Sequence, residues 1–267
     1  MDTETSEEYW RRVNHMELSQ RQLREFVDQG FLRVPGVIPP LLLDRALKAI
    51  GHSLGEGFPP EQAPTYRARS FCPEITGSSE IVDLATRSPA WYLLESLLGQ
   101  GNIRPISGGQ IALRFPMLNE PERVASPHLD GMYSPLNGVT QGTIHGFSLL
   151  LGVVLRDIDT DYAGNLMVWP RSHHLHAQYF RDHGWDSLLQ GMPPVDRGEP
   201  VHVTAKAGDI TLAHYLLGHG TAPNLSPNIR YTVYFRVYHK DHDSAQSAVS
   251  PWRDFPGLVA RLPELAP

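Results

Sequence analysis

The amino-acid sequence predicts a mainly β protein with helices gathered at its N-terminus, folded as an antiparallel sandwich or jelly roll. Three observations carry this. Helical signals concentrate in the first hundred residues. Beyond Gly99 the chain turns to short β-rich segments divided by Gly, Pro and Asn. Those segments follow one another without helices between them, which argues against a doubly wound sheet. No repeat or low-complexity linker interrupts the chain. It reads as one domain over 1–267, with a helix-rich part over 1–100, a β core over 101–240 and a C-terminal tail over 241–267.

Taken in order, Ser19 caps a helix through Gln29, with Gln22 completing a capping box and Gly30 as the stop. Leu23, Phe26 and Val27 share one face of it. Phe31 to Val34 reads as a short strand. Pro39 and Pro40 open a second helix that carries Leu42, Leu43, Ala46, Leu47 and Ile50 to about Ser53. A third is capped by Ser88, has Pro89 at its first position and runs to Gly99. The predicted strands are Gln110–Phe115, Ile144–Arg156, Leu166–Trp169, Val201–Thr204, Asp209–Leu216 and Tyr231–His239. Three segments, at 57–71, 130–143 and 178–199, are longer than connectors need to be and are candidate binding loops.

Composition narrows the class. A formal charge of −6 argues against nucleic-acid or anionic-membrane partners, while leaving room for a local basic pocket. The single cysteine, Cys72, permits no internal disulfide and suits a reducing cytoplasm. The acidic start, Met1 to Trp10, is unlike a signal peptide, and no apolar run is long enough to span a membrane. Oligomeric state is left open.

With 13 histidines, the chain invites a search for a metal site. In Pro127–Gly131, His128 and Asp130 lie two apart, so on an extended strand end they point to one side. The best third ligand is His219, near the end of the strand opened by Asp209. Arg230 follows eleven residues later, after a turn-rich stretch, and starts the next strand, so His219 and Arg230 are expected on neighbouring strands. Thr232 shares the Arg230 face, with Tyr234 beyond it. Two histidines and one carboxylate with open positions form the facial arrangement of non-haem Fe(II) oxygenases. An arginine deep in such a site matches a dicarboxylate, which its planar fork grips bidentately, helped by a hydroxyl such as that of Thr232. Gln110 and Arg114 alternate on a strand face and reach either co-substrate, substrate or the outer surface.

In ordered sequence features the chain resembles the phytanoyl-CoA dioxygenase-like Fe(II)/2-oxoglutarate oxygenases. The features are His128 with Asp130; the stretch Ala163 to His174; Gly208-Asp209 with His219-Gly220; and Asn224 with Arg230. An N-terminal helix followed by "GFLRVPGVI" belongs to the same pattern. The resemblance runs from about Leu18 to His239 and departs at Arg171, where the family carries glycine. It implies a double-stranded β-helix, a cupin-like jelly roll. It also implies iron held by His128, Asp130 and His219, and 2-oxoglutarate paired with Arg230. The activity implied is a hydroxylase-type dioxygenase that converts 2-oxoglutarate and O2 to succinate and CO2 while oxidising a small organic molecule. Asp130, in place of a small residue, argues against halogenation.

Alternatives stand beside this reading. His214, mid-strand, competes with His219. His173, His174 and His176 form a dense cluster with some capacity for zinc, although support of a turn is the simpler role. His239 and His242, flanking Asp241 and Asp243, read as a solvated charge run. Tyr66, Arg67, Arg69, Met132 and Tyr133 lie on the long loops where a substrate would be touched, or are ordinary loop residues. A jelly-roll isomerase or lyase that does not use 2-oxoglutarate, with Arg230 on a substrate acid, and a non-catalytic binding relative are the competing functions.

Overall fold

The first helix, Gln20–Gln29, begins where Ser19 accepts the Gln22 N–H and Gln22 returns a side-chain bond to the cap. It ends at Gly30, whose φ of 80° and N–H to Phe26 close the last turn. These residues belong to a computed structural model that describes residues 16–117 and 126–266. The acidic start Met1 to Trp10 lies outside the described residues. The helices Pro40–Gly55 and Ala90–Leu98 follow the prolines and end glycine as the sequence predicts.

Among the described residues eight strands build the β core: β1 (Phe31–Val34), β2 (Gln110–Arg114), β3 (Leu149–Val154), β4 (Leu166–Val168), β5 (Val201–Val203), β6 (Ile210–His214), β7 (His219–Thr221) and β8 (Arg230–Val237). They form a five-stranded antiparallel sheet in the order β1-β6-β3-β8-β2 and a three-stranded antiparallel sheet in the order β5-β4-β7. The two sheets face each other in a jelly-roll arrangement that does not close into a barrel. Along β8 the odd residues Val233, Phe235 and Val237 are fully buried in a core shared with Phe26, Leu94 and Phe255. The even residues Arg230, Tyr234 and Arg236 turn to the opposite face, towards the smaller sheet.

Several expectations are corrected. His219 and Arg230 are not on neighbouring strands: β6 stops at His214, the chain turns through Tyr215–Gly218, and β7 pairs with β4 in the other sheet. The predicted strand Ile144–Arg156 is paired only over β3, because the His145 N–H is bound back to the Gly131 carbonyl. Helices Ala63–Ala68, Ser79–Thr86, Ser172–His183, Ser244–Val249 and Pro256–Arg261 were not anticipated. The C-terminal stretch contributes Phe255, Leu258 and Leu262 to the core.

The competing histidines are structural. His214 is buried among Phe26, Trp252 and Phe255; its Nε2–H donates to the Pro251 carbonyl at 2.9 Å and its Nδ1 accepts the Leu216 N–H. His173 and His174 both donate to the Val27 carbonyl. His176 donates to the Leu216 carbonyl and accepts from Arg197. His239 is buried rather than solvated, and the His242 side chain, only 4% exposed, pairs with Asp254 at 2.5 Å. Arg171 adopts φ 69°, a left-handed conformation that glycine takes more readily, and its guanidinium meets Asp28.

Burial pulls His176 down to about 4 and His214 down to about 3, so both fold as neutral imidazoles. The unfolded chain binds these protons from about pH 6.5 downward and the folded chain does not, so stability falls as pH drops from about 6.5 towards 4. Each histidine contributes up to about 1.4 kcal/mol per pH unit. Urea midpoints of metal-free protein across this range will show the slope, and His214→Gln will reduce it by about one proton; an unchanged slope would mean that His214 titrates normally in the folded state.

Candidate metal and co-substrate site

The two sheets enclose a cavity of about 720 Å³, lined from the larger sheet by Gln110, Ala112, Arg114, Leu150, Arg230, Tyr234 and Arg236, and from the smaller by Leu166, His219 and Thr221. Two of the three long segments supply further wall: Arg67 to Arg69 from the first and Asp130 to Val139 from the second. The third, 178–199, forms helical turns elsewhere.

At one end of the cavity His128 and His219 exchange backbone hydrogen bonds of 2.9 and 3.1 Å, an isolated antiparallel bridge. Residues so paired project to the same side, and Asp130, two residues on from His128, joins them. The imidazole centroids are 4.5 Å apart, and each Nε2 lies 3.5 Å from Asp130 Oδ1. Donors about 2.1 Å from one ion at right angles to each other sit about 3 Å apart, so small adjustments suffice to seat a metal. Among the described residues this is the one group of three or more His, Cys, Asp or Glu side chains with such spacing. The His219 Nδ1–H donates to the Leu217 carbonyl at 3.0 Å, which leaves Nε2 as the free donor atom. The His128 side chain keeps 49% of its surface accessible because it faces the cavity. Gly131 is required here: its φ is +89°, and a Cβ would lie 1.8 Å from the His145 carbonyl oxygen.

Burial alone would raise the Asp130 carboxyl, but Arg236 and the two histidines outweigh it and hold the group well below the usual carboxylate range. Burial lowers His219 less than the Asp130 hydrogen bond and charge raise it. His128 is lowered by burial and by the neighbouring His219. The site therefore presents an anionic carboxylate between two imidazoles.

Arg236 was not picked out from the sequence. It donates to Asp130 Oδ2 at 2.8 Å and to Gln110 Oε1 at 3.1 Å, so Oδ1 alone faces the histidines. The missed signal is the alternation itself: Arg236 continues the face of Arg230, Thr232 and Tyr234.

Further along the cavity Arg114 and Arg230 are cross-strand partners. Like charges directly opposite each other on one face repel. Arg230 is 3% exposed, and its Nε and Nη2 find no hydrogen-bond partner among the described residues. Its remaining contact is a 3.4 Å hydrogen bond from Nη1 to Tyr234 Oη. Burial, then Arg230, then Arg67, pull Arg114 down to about 9, still protonated at neutral pH. Gly164 lets the two arginines pack under the Ala163–Asn165 turn, where a Cβ would come within 2.9 Å of Arg114 and 3.3 Å of Arg230. Asn224 ties the same end together by donating to the Arg114 and Asn228 carbonyls at 2.7 Å. Tyr234 lies over Gly152, where any Cβ would approach its ring to 2.8 Å. Thr232 shares this face, but opens on a separate small void with Gly152 and Thr211, and its Oγ1 has no hydrogen-bond partner among the described residues. Tyr66 is turned away from the cavity, packed with Phe58 and Phe71.

The sequence pattern of the phytanoyl-CoA dioxygenase (PhyH) family matches residues 26–232. No curated protein sequence matches the chain. Among solved structures, HygX from Streptomyces hygroscopicus with nickel and 2-oxoglutarate bound is similar at a TM-score of 0.57 and 19% identity, covering 86% of this chain and 90% of that one. The epimerase SnoN, in complex with Fe3+, alpha ketoglutarate and nogalamycin RO, has a TM-score of 0.54 and 20% identity, with 82% of each chain covered. The non-heme monooxygenase ThoJ, as a nickel complex, has a TM-score of 0.54 and 18% identity, covering 91% of this chain and 98% of that one.

Because Arg236 fixes the carboxylate that faces the histidines, Arg236→Ala is expected to weaken binding of a divalent metal by about 10–100-fold without unfolding the protein. Calorimetric titration with Co(II), beside circular dichroism, checks this; wild-type affinity in the variant would remove Arg236 from the site.

Proposed function

The chain belongs to the phytanoyl-CoA dioxygenase family, and on that premise we propose that it is a non-haem Fe(II)- and 2-oxoglutarate-dependent dioxygenase that hydroxylates a small organic molecule. The observation that carries the reading is the pairing, in one cavity, of a two-histidine, one-carboxylate cluster with a buried arginine whose Nε and Nη2 have no partner among the described residues. A buried guanidinium without a counter-ion is costly, and a carboxylate entering the cavity relieves that cost.

His128 Nε2, His219 Nε2 and Asp130 Oδ1 would hold the iron, three donors on one side that leave the rest of its sphere to ligands arriving through the cavity. Arg230 would take the far carboxylate of 2-oxoglutarate through its free Nε and Nη2, with Tyr234 steadying Nη1 and Arg114 adding charge. Gln110 acts through Arg236 rather than on the co-substrate directly. When bound, iron and 2-oxoglutarate supply the oxidising power, with 2-oxoglutarate and O2 ending as succinate and CO2. The chain's own part is to orient the substrate C–H and limit water around the metal, for which the 130–143 segment and the Arg67–Arg69 wall are placed. A carboxylate at Asp130 occupies the position that halogenation would need open. We place the enzyme in the cytoplasm, where the one free thiol, buried Cys72, is kept reduced.

Anaerobic addition of Fe(II) and then 2-oxoglutarate to the protein should produce a visible metal-to-ligand charge-transfer band. Arg230→Ala should need at least about tenfold more 2-oxoglutarate to develop it, as expected for loss of a charge-assisted bidentate contact. Asp130→Ala should lose most of its iron. A wild-type protein that binds Fe(II) but gives no band would favour a metal enzyme that does not use 2-oxoglutarate.

A further inference from the structure

The cavity carries more positive charge than a metal and one 2-oxoglutarate account for. Five arginines line it, Arg67, Arg69, Arg114, Arg230 and Arg236, and among the described residues the single carboxylate in its wall is Asp130. Asp130 is taken up by Arg236. Arg230, with Arg114 opposite, is matched by the far carboxylate of the co-substrate. Arg67 and Arg69 then have no anion, because no ion pair among the described residues involves either of them. In a chain of net charge −6 this concentration of guanidinium groups in one cavity is not a reflection of bulk composition.

The two arginines stand on a built wall. Their segment is fastened to β2 by the Phe71 N–H to the Ile111 carbonyl and by the Ile111 N–H to Ser70 Oγ, both 2.9 Å. Behind it Phe58, Tyr66, Phe71 and Phe115 pack ring against ring at 5.5–6.5 Å. Arg69 lies on Gly138 and donates Nε–H to the Leu136 carbonyl at 3.0 Å, joining this wall to the 130–143 segment. That bond leaves both of its Nη groups for the cavity. Arg67 and Arg69 are exposed and Arg230 is buried, and all three line the cavity with Arg114, so the cationic strip runs from a solvent-facing mouth to the co-substrate end.

We infer that the substrate is itself an acid, a small organic molecule whose carboxylate or phosphate group docks on Arg67 and Arg69 while its remainder extends towards the His128–Asp130–His219 cluster. The inference rests on the 2-oxoglutarate reading, which assigns Arg230 elsewhere. Planar guanidinium forks hold oxyanions of both kinds, so the shared chemistry is an oxyanion with two acceptor oxygens. An acid fixed at the mouth gives the orientation that selective oxidation of one C–H requires.

The test uses full-length protein loaded with Ni(II) and saturating 2-oxoglutarate. Thermal-unfolding midpoints are recorded against matched probes: benzoate and phenyl phosphate as acids, benzamide as the neutral counterpart and benzylamine as the cation. The acids should raise the midpoint and the other two should not. In Arg67→Ala/Arg69→Ala the acid concentration for half the shift should rise at least about tenfold, with the response to 2-oxoglutarate itself unchanged. Arg67→Lys/Arg69→Lys should retain part of the effect. The inference is overturned if no acid shifts the midpoint, if benzamide or benzylamine does so equally, or if the double alanine variant keeps the acid response. It is also overturned if Arg230→Ala alone abolishes that response, since the acid would then be occupying the co-substrate position. If 2-oxoglutarate gives no shift while the acids still act through Arg67 and Arg69, the co-substrate reading fails and the acid site stands.

Discussion

The site depends on one backbone bridge, the paired hydrogen bonds between His128 and His219. Without it the two histidines belong to segments some ninety residues apart in the chain, with no reason to face the same point. With it, the pleat alone puts both imidazoles and the Asp130 carboxylate on one side. The neighbouring chain guards this geometry. Gly131 turns the backbone against His145, the Leu217 carbonyl sets the His219 ring, and Arg236 takes the outer oxygen of Asp130. Each contact acts on the orientation of a donor atom rather than on the core.

A second constraint shapes the opposite end of the cavity. Placing Arg114 across from Arg230 on an inward face opposes the usual preference of sheets for unlike cross-strand pairs. The structure holds the pair through Asn224, the close approach of Gly164 and the Tyr234 hydroxyl, none of which supplies negative charge. Such a local conflict within an otherwise consistent fold is where function is expected. Here it calls for an anion. The cationic lining of the cavity therefore stands apart from the acidic overall composition, a net charge of −6.

Much of this was legible in the sequence. Ser19, Gln22 and Gly30 predict the first helix because caps are local chemistry. His128 and Asp130 were legible as a pair because side chains two apart on a strand share a face, whereas the eleven-residue step from His219 to Arg230 suggested neighbouring strands that the fold does not have. Sheet membership was not legible. Periodicity marks β6 and β7 as extended but says nothing of the turn at Tyr215–Gly218 that sends His219 to the second sheet. The helix Ser172–His183 was missed for another reason. Its buried residues His173, His176, Ala177 and Phe180 have helical spacing, but two are histidines, which count as polar in a pattern search although they fold neutral and buried. Arg236 escaped because its role is a contact with a residue more than one hundred positions away.

In the proposed enzyme one cavity holds a metal on His128, Asp130 and His219 and a dicarboxylate on Arg230. The most direct measurement is an anaerobic crystal structure of the protein with Fe(II) and 2-oxoglutarate. The expected result is a metal about 2.1 Å from His128 Nε2, His219 Nε2 and an Asp130 oxygen, with the far carboxylate of 2-oxoglutarate gripped by Arg230. A metal held instead by His145, or a far carboxylate resting on Arg67 and Arg69 with Arg230 left unpaired, would contradict it.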